Sequence, residues 1–282
     1  MPPQCQQSLS MTKIRRIEKV LLYNEGTAGN LNIKGIAEYL RDNLGRIQVE
    51  IRGGSTIFCP EKCLDYAKRL ASIKILDVRC KMASRQEPSY GEVQYEHRRL
   101  LGKTRAFGVL YDGFYLQRIF AGLIAREESI LEFVHIFFTN RLFATWEEGD
   151  RRYHARTSVY GMPSVISTTG LVEAPARPRE YYLLKQQYEL LGKNLLELKE
   201  RFKGRFIDYE DECLTEVVKG YALQGVFYHL VGNPFCEDKG CRLYNAHWQE
   251  ELIFAQLGSR YEFCGLHEKI LDDLPNIIEK GK

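Results

Sequence analysis

The sequence predicts an α/β fold of the α+β type, built on a mixed, twisted sheet. The chain opens with a strand, an amphipathic helix and a second strand, strand-forming stretches dominate residues 107–170, and helical periodicity follows. We therefore expect a flexible tail over residues 1–18, an α/β N-terminal subdomain over 19–178 and a helical C-terminal subdomain over 179–282.

Each N-terminal element carries a local signal. The apolar stretch KVLLYNE predicts a buried strand, and the alternation in RIQVEIRGG predicts another. NIKGIAEYLRDNLG has helical periodicity closed by a glycine, and Pro60 stands where a first helical turn tolerates proline. The strands are 19–25 and 46–54, and the helices are 32–45, 59–73 and 89–102. Five further stretches of strand character, FGVLYD, EFVHIFFTN, RLFATW, RRYHARTSVYG and SVISTTG, complete a sheet that fills the first 170 residues.

The apolar period changes to that of helices after the extended stretch VEAPARPRE. REYYLLKQQYELLGKNLLELKERF predicts one long helix, and YEDECLTEVVKGYALQGVFYHL predicts a second. The four predicted helices span 179–202, 209–230, 247–258 and 266–274. This layout predicts a cleft where the α/β part and the helical part meet.

Composition and charge exclude several classes of protein. Apolar residues make up 44% of the chain and the formal net charge is only +3, so the total charge gives no strong attraction to nucleic acid or anionic lipid. The longest apolar runs, such as FVHIFF, are far shorter than the roughly 20 residues of a membrane-spanning helix. The first ten residues lack the basic and apolar regions of a secretory signal. We expect a cytoplasmic protein without a membrane segment.

Three of the eight cysteines lie close together near a histidine in the C-terminal part. Cys236 and Cys241 form a C-x4-C pair, and Cys264 and His267 form C-x2-H after an intervening helix. Three thiolates and one imidazole suit a closed tetrahedral zinc site, and a reducing compartment argues against disulfides. The spacing predicts one structural zinc ion per chain.

The alternative interpretation is that these three cysteines are free thiols and that His267 caps a helix. A C-x4-C spacing is less characteristic of zinc ligands than C-x2-C. The remaining cysteines give a weaker indication of metal binding. Cys59, Cys63 and Cys80 lack an obvious fourth ligand, and we interpret them, with Cys213, as buried free thiols. Cys5 falls in the predicted tail.

The same C-terminal residues resemble archaemetzincin, a zinc metallopeptidase of the metzincin group. That family continues H-E-x-x-H-x-x-G-x-x-H-C with C-x4-C-x-M and a final C-x-x-C. Cys236, Cys241 and Cys264 match three of its four structural-zinc cysteines, His267 takes the place of the last, and Leu243 replaces the methionine. Upstream, YGEVQYEHRRLL, FVHIFF and PSVIST resemble family segments in the same order, so the likeness covers residues 19–267 and is greatest to a small archaeal family of metallopeptidase-like proteins.

The catalytic half of the motif is degenerate in this sequence. Aligned on the first cysteine, Gly225 and Phe235 stand where the family has zinc-binding histidines, and Val226 stands where it has the glutamate base. His229 and the turn glycine, Gly232, are the residues of the signature that remain. A single imidazole does not hold a catalytic zinc, so the resemblance implies a metzincin-like fold whose peptidase centre has decayed.

The sequence is compatible with three functions. The leading hypothesis is a non-catalytic protein that keeps the structural zinc and binds a peptide or protein in the inter-subdomain cleft, by strand addition at the sheet edge. The alternative is an active zinc metallopeptidase or hydrolase with non-standard ligands around His229. A nucleic-acid-binding zinc module is the least favoured class, because the net charge is small. The sequence leaves the oligomeric state open.

Overall fold

A computed structural model describes residues 14–25, 31–53, 62–82, 87–102, 108–209 and 211–279. It is a mixed α/β structure of the α+β type, as the sequence predicts. The nine strands of the described residues are β1 (Lys19–Asn24), β2 (Gln48–Gly53), β3 (Lys74–Ile75), β4 (Leu110–Asp112), β5 (Phe133–Thr139), β6 (Leu142–Glu147), β7 (Arg152–Arg156), β8 (Ser158–Val159) and β9 (Ser164–Ser167).

These strands form two sheets, whereas the sequence led us to expect one. The first sheet has the order β2-β1-β5-β9-β8, in which β8 is antiparallel and the other neighbours are parallel. The second sheet has the order β3-β4-β6-β7 and contains one parallel pair, β4 with β6. The chain passes from the first sheet to the second at Asn140 and Arg141, whose side chains bond Arg99 and Glu96 away from the first sheet.

Four helices belong to the N-terminal part: α1 (Ile33–Leu44), α2 (Cys63–Ala71), α3 (Tyr90–Leu100) and α4 (Gly113–Ala121). The side chain of Asn32 caps α1, and α1 ends before Gly45, whose φ of 61° favours glycine. Ser89 and Glu92 form a capping box at the start of α3. The helix predicted over 59–73 is present from Cys63, and Pro60 lies outside the described residues.

Six helices follow the second sheet: α5 (Thr168–Glu173), α6 (Arg179–Leu190), α7 (Leu195–Arg201), α8 (Leu214–Val231), α9 (Gln249–Ile253) and α10 (Gly265–Glu279). The single long helix predicted over 179–202 is wrong, because α6 ends before Gly192, which has φ 62°, and Asn194 caps a new helix. The helix predicted over 247–258 is divided between α9 and a π-helical turn, Phe254–Gly258.

The first sheet separates two hydrophobic cores. Alternate residues of β1 and β5, such as Leu22 and Ile136, face the larger core, which is completed by α1 and α8. Leu21 and Phe137 point the other way and pack against α2 and α4. Helix α8 is apolar on nearly every side, because it is enclosed by the first sheet, α1 and the C-terminal segments. A small third cluster joins α6 to α7.

A buried ionic network lies at the carboxyl ends of β1 and β5. The Arg141 guanidinium donates to Glu25 at 2.7 Å and to Glu96 at 2.6 Å, and Tyr111 donates to Glu96 at 2.7 Å. Burial raises the pKa of Glu96, but the attraction of Arg141 and Lys74 outweighs it and holds that pKa below its usual value. None of the helices in the described residues is long and apolar enough to cross a membrane.

Candidate metal centre and the residual histidine

The four predicted zinc ligands come together between α8 and α10. Cys236 forms an isolated parallel bridge with Tyr244, and its amide donates to the Leu243 carbonyl at 2.9 Å. Cys241 follows a tight turn, closed by its own amide and the Asp238 carbonyl. The other two ligands belong to α10: Cys264 immediately precedes the helix, and His267 lies in its first turn.

The four ligand atoms, three Sγ and the Nδ1 of His267, all lie within 4.8 Å of one another. Cys236 Sγ and Cys264 Sγ are 3.8 Å apart, and His267 Nδ1 is 3.6 Å from Cys241 Sγ and 3.1 Å from Cys264 Sγ. A tetrahedral zinc ion with Zn–S of about 2.3 Å and Zn–N of about 2.0 Å requires ligand separations of roughly 3.5–3.8 Å, which lies within the range of these separations. These residues, called the metal cluster below, therefore fit zinc, and the spacing between sequence pairs predicted their convergence.

The surroundings of the metal cluster hold its ligands in place. All four are buried, the most accessible being His267 at 4%. The Asp238 amide donates to Cys236 Sγ at 3.3 Å, and the Asp238 carboxylate accepts from Tyr261 Oη at 2.8 Å. The Phe227 ring on α8 stands edge-on to the His267 imidazole, with centroids 5.2 Å apart. Such outer contacts fix ligand orientation before a metal arrives.

Hydrogen bonds among the thiols shift the pKa values of Cys236 and Cys264 in opposite directions. A hydrogen bond with Cys241 raises the pKa of Cys236 far above its usual range, while a hydrogen bond from Cys236 holds the pKa of Cys264 well below it. Cys264 also lies at the start of α10, where a helix favours a thiolate. A thiolate is the form that binds metal, so the cluster offers an anionic ligand at neutral pH.

His229 lies elsewhere, near the end of α8 and apart from the metal cluster. Its ring is buried, and Nε2 is 3.1 Å from the carbonyl oxygen of Gly161. Burial lowers the pKa of His229, so the neutral imidazole is favoured. Helix α8 ends at Gly232, which has φ 78° and donates to Tyr228, as the sequence predicts for a stop glycine. The ring therefore bonds a loop carbonyl and not one of the last carbonyls of its own helix.

Apolar packing occupies the positions that the degenerate motif left without ligands. A Cβ added to Gly225 would make ordinary contacts, 3.4 Å from the Ser164 side chain and 3.5 Å from Ile136, so side chains of the first sheet already stand against this position. Val226 is fully buried, and the Phe235 ring packs edge-on against Tyr160 with centroids 5.8 Å apart. Within the described residues, the metal cluster is the one group of three or more His, Cys, Asp or Glu residues whose ligand atoms converge.

A protein-family comparison supplies an independent observation on this chain. Residues 16–274 match the model of a family described as "Probable metallopeptidase family (DUF6775)". The chain belongs to this family. The match contains α8, the metal cluster and both sheets, so the family and the sequence motif concern the same part of the molecule.

Two further comparisons complete the description of this family member. The crystal structure of a zinc-dependent peptidase from Methanocorpusculum labreanum (strain Z) is similar over 90% of this chain and 98% of that chain, with 13% identity and a TM-score of 0.37. The search of curated proteins gives no match. Family membership therefore rests on the family model.

The other histidines of this chain have separate partners. His135 lies in β5, where Tyr23 Oη is 3.0 Å from its Nδ1 and the Glu128 carbonyl is 2.8 Å from its Nε2, so it is a buried, hydrogen-bonded core residue. His154 in β7 contacts Asp150 at 2.8 Å. His97 lies in the last turn of α3. None of these three joins His229 in a group of converging ligands in the described part of the chain.

The cysteines outside the metal cluster depart in part from our prediction. Cys63 is buried on α2, as expected, but Cys80 and Cys213 are exposed, so the prediction of buried thiols is wrong for both. Cys80 follows a turn closed by Asp77, and Cys213 directly precedes α8 rather than lying inside it. Cys5 and Cys59 fall outside the described residues.

Sequence reasoning missed the residues that shape a cavity of about 520 Å³ between the N-terminal and C-terminal parts. One wall is the chain from His154 to Tyr160, which contains the free edge of β8, and the opposite wall comes from α8 and residues 244–247. Tyr160 Oη donates to the Gln224 side-chain oxygen at 2.5 Å and so joins the walls. The sequence signal that could have indicated this cavity is the stretch TSVYG, where a predicted strand ends at a glycine.

Proposed function

We propose that this member of the metallopeptidase family is a non-catalytic, metzincin-like relative of the archaemetzincins that retains one structural zinc ion and binds an extended peptide or protein segment in its cleft. One contrast carries the proposal. Four ligand atoms converge in the metal cluster, while the imidazole of His229 has the Gly161 carbonyl as its partner. We place the protein in the cytoplasm, because reducing conditions keep three cysteines available as thiolates.

The zinc has a structural role in this proposal. Four protein ligands close a tetrahedral site and leave no position for the water molecule that a catalytic zinc must carry. The ligands also connect two segments that lie far apart in the chain, the loop after α8 and the start of α10. The ion would supply the fixed charge and bonds that hold α10 against the core. Its removal should loosen structure rather than abolish a reaction.

The geometry around His229 gives hydrolysis little support. Water activation needs a metal with an open position and a carboxylate to receive the proton. Glu216, the nearest described carboxylate on α8 before this position, bonds Arg242 and Lys219 three turns away from His229. The ring of Phe235 and the small volume beside Gly225 leave no replacement ligand at the positions where the archaemetzincin motif has histidines.

The cleft supports binding by a different mode. Strand β8 is the edge of the first sheet, and both its residues, Ser158 and Val159, line the cavity of about 520 Å³. An extended peptide can add to such an edge through main-chain hydrogen bonds, a mode that requires no metal. The aromatic rings of Tyr221 and Phe235 line the same cavity and offer apolar contacts for alternate side chains. Binding or regulation is thus the function that these residues favour.

Metal content measured together with peptidase activity tests this proposal. Purified protein should contain about one zinc per chain by elemental analysis, and it should not cleave a broad library of quenched fluorescent peptides. His229→Ala should leave the zinc content at one. Two zinc ions per chain, with peptide cleavage that a chelator stops, would overturn the proposal.

The family description supports a second candidate, an active metallopeptidase with non-standard ligands around His229. In that case, His229→Ala should remove both the activity and a second metal ion while thermal unfolding stays close to that of the wild type. A matched variant, His97→Ala, removes an imidazole from the last turn of α3, outside the cavity lining, and should keep both properties. The pair of variants separates loss of a ligand from a general effect of removing a histidine.

A further inference from the structure

The cavity between the two parts of the molecule, called the cleft cavity below, has an unusual charge pattern. The eighteen described residues that line it include one arginine, Arg156, and two histidines, His154 and His247, but no aspartate or glutamate. The chain contains 37 acidic residues, so a random sample of this size would include two or three. The groove between α1 and α10 shows the opposite pattern, with Asp42 and Glu268 among its four acidic residues and no basic residue.

Arg156 is held in place but is not neutralised at close range. Its Nε donates to Thr145 Oγ1 at 2.8 Å, which fixes the plane of the guanidinium group. The one carboxylate that meets it, Glu147, lies 3.4 Å from an Nη atom at an exposed position, where 52% of the glutamate side chain is accessible. Among the described residues, no other side chain bonds this guanidinium. An exposed pair of this length contributes little, so Arg156 retains donors for a ligand.

The two histidines add donors along the same wall and at the cavity rim. His154 contacts the Asp150 carboxylate at 2.8 Å, and that carboxylate is 60% exposed and lies outside the lining. His247 is exposed on the segment before α9. The carboxylates of Asp150 and Glu147 are thus largely exposed to water, where screening weakens them, and neither residue lines the cavity.

Aromatic residues form the remaining walls. Phe114 is exposed at the start of α4 although it is a large apolar side chain, and Phe235 packs edge-on against Tyr160. Tyr160 is tied to Gln224, whose amide donates to the Tyr244 carbonyl at 3.2 Å, so the walls are cross-linked by hydrogen bonds. A rigid aromatic wall beside a fixed guanidinium suits a ligand that carries an apolar side chain next to an anionic one.

We infer that the cleft cavity recognises an acidic peptide: an extended segment that pairs with the edge of β8 and places a carboxylate on Arg156 and an apolar neighbour against Phe235. This inference deepens the proposed binding function and depends on it. Arg156 ends β7, two residues before Ser158 of β8, so its side chain can reach a ligand that adds to that edge. Planar, two-point hydrogen bonding makes carboxylates the natural partners of a guanidinium group.

The test is fluorescence anisotropy with three libraries of fluorescein-labelled octapeptides. The libraries share randomised apolar and neutral positions and differ at two fixed positions, which carry Glu, Gln or Lys. The wild-type protein should bind the Glu library roughly tenfold more tightly than the Gln library, as expected for a partly exposed charge-assisted hydrogen bond. Arg156→Met should remove this preference, and Arg156→Glu should move it to the Lys library. Arg152→Met, on the exposed part of the same strand, is the matched control and should keep it.

The outcomes distinguish failure of the acidic preference from failure of the proposed peptide-binding function. Equal binding of all three libraries by the wild type would overturn the acidic preference and leave cleft binding intact. A preference that Arg156→Met and Arg152→Met reduce equally would also overturn it, because general surface charge would then be responsible. Binding of no library at the highest protein concentration would overturn both the inference and the proposed peptide-binding function. Circular dichroism of each variant confirms that the fold is retained.

Discussion

Loss of one ligand from the metal cluster should destabilise the whole protein by a predictable amount. The variant Cys264→Ser removes the sulfur that lies 3.8 Å from Cys236 and 3.1 Å from His267. With zinc bound, Cys236 and His267 are cross-linked and close a loop of 32 residues. In the chain-entropy description of a cross-link, a loop of that length is worth about 4 kcal/mol at 25 °C. That figure is a lower bound on the effect, because displaced ligands also leave polar atoms buried without partners.

Thermal unfolding followed by circular dichroism, with zinc measured on the same samples, checks this prediction. For a chain of this size each kcal/mol corresponds to about 2 °C, so Cys264→Ser should lower the Tm by about 8 °C or more and lose most of its zinc. Prolonged incubation of the wild type with a chelator should produce a similar fall. His267→Cys should retain both zinc and stability, because a thiolate can replace the imidazole as the fourth ligand.

The matched control is Cys80→Ser, which changes an exposed cysteine outside the cluster and should leave the Tm and the zinc content unchanged. If Cys264→Ser and Cys80→Ser unfolded at the same temperature with the same zinc content, the cluster would not be a cross-link. The reasoning from loop length would then fail, together with the structural role assigned to the ion.

Three further predictions concern the body of the protein. Gly225→Ala should raise the free energy of unfolding by up to about 1 kcal/mol, since the new methyl group makes only ordinary contacts and alanine favours a helix over glycine. Gly220→Ala should lower it by about 1–3 kcal/mol, because the new Cβ would overlap the Gln256 side-chain oxygen. Urea unfolding of both variants measures the difference. Arg141→Met should cost about 3–5 kcal/mol, because Glu25 and Glu96 lose the buried guanidinium that bonds both of them and Lys74 remains for Glu96 alone. Burial holds the pKa of His229 below 6.5, so its contribution to stability is complete above that pH and is lost as the pH falls toward its folded pKa. His229→Asn should therefore flatten the pH dependence of the free energy of unfolding as the pH falls below 6.5.

Each of these predictions can fail on its own. Equal effects of alanine at the two glycines of α8 would contradict the packing of that helix against Ser164 and Gln256. A loss of less than about 1 kcal/mol for Arg141→Met would mean that its carboxylate partners are reached by water. An unchanged pH profile in His229→Asn would mean that the imidazole titrates as it does in the unfolded chain.

The order of secondary structure was accessible from the sequence because its signals are local. Capping by Asn32 and Ser89 and the stop at Gly232 depend on residues within one helical turn. The break between α6 and α7 has such a signal too, in Gly192 and Asn194. We predicted one helix there because leucines on both sides of the break continue the helical period, and periodicity does not register a single left-handed residue.

Longer-range features were less predictable. Division into two sheets has no local signal: the chain leaves the first sheet at Arg141, whose partners Glu25 and Glu96 lie far from it in the sequence. The metal cluster could be predicted because chemistry restricts its ligands to cysteine and histidine at short paired spacings. The cleft cavity could not be predicted residue by residue, since tyrosine, glutamine and arginine serve many purposes and their positions carry no characteristic spacing.

The three cysteines of the metal cluster belong to the larger hydrophobic core, among residues of α1, α8 and the first sheet. An ion held there cannot leave while that core stays closed, so exchange of isotopically labelled zinc would proceed no faster than the protein opens. The half-life of exchange would then report how often the native state opens. Gly225→Ala, which is expected to stabilise the protein, should slow this exchange although it changes no ligand.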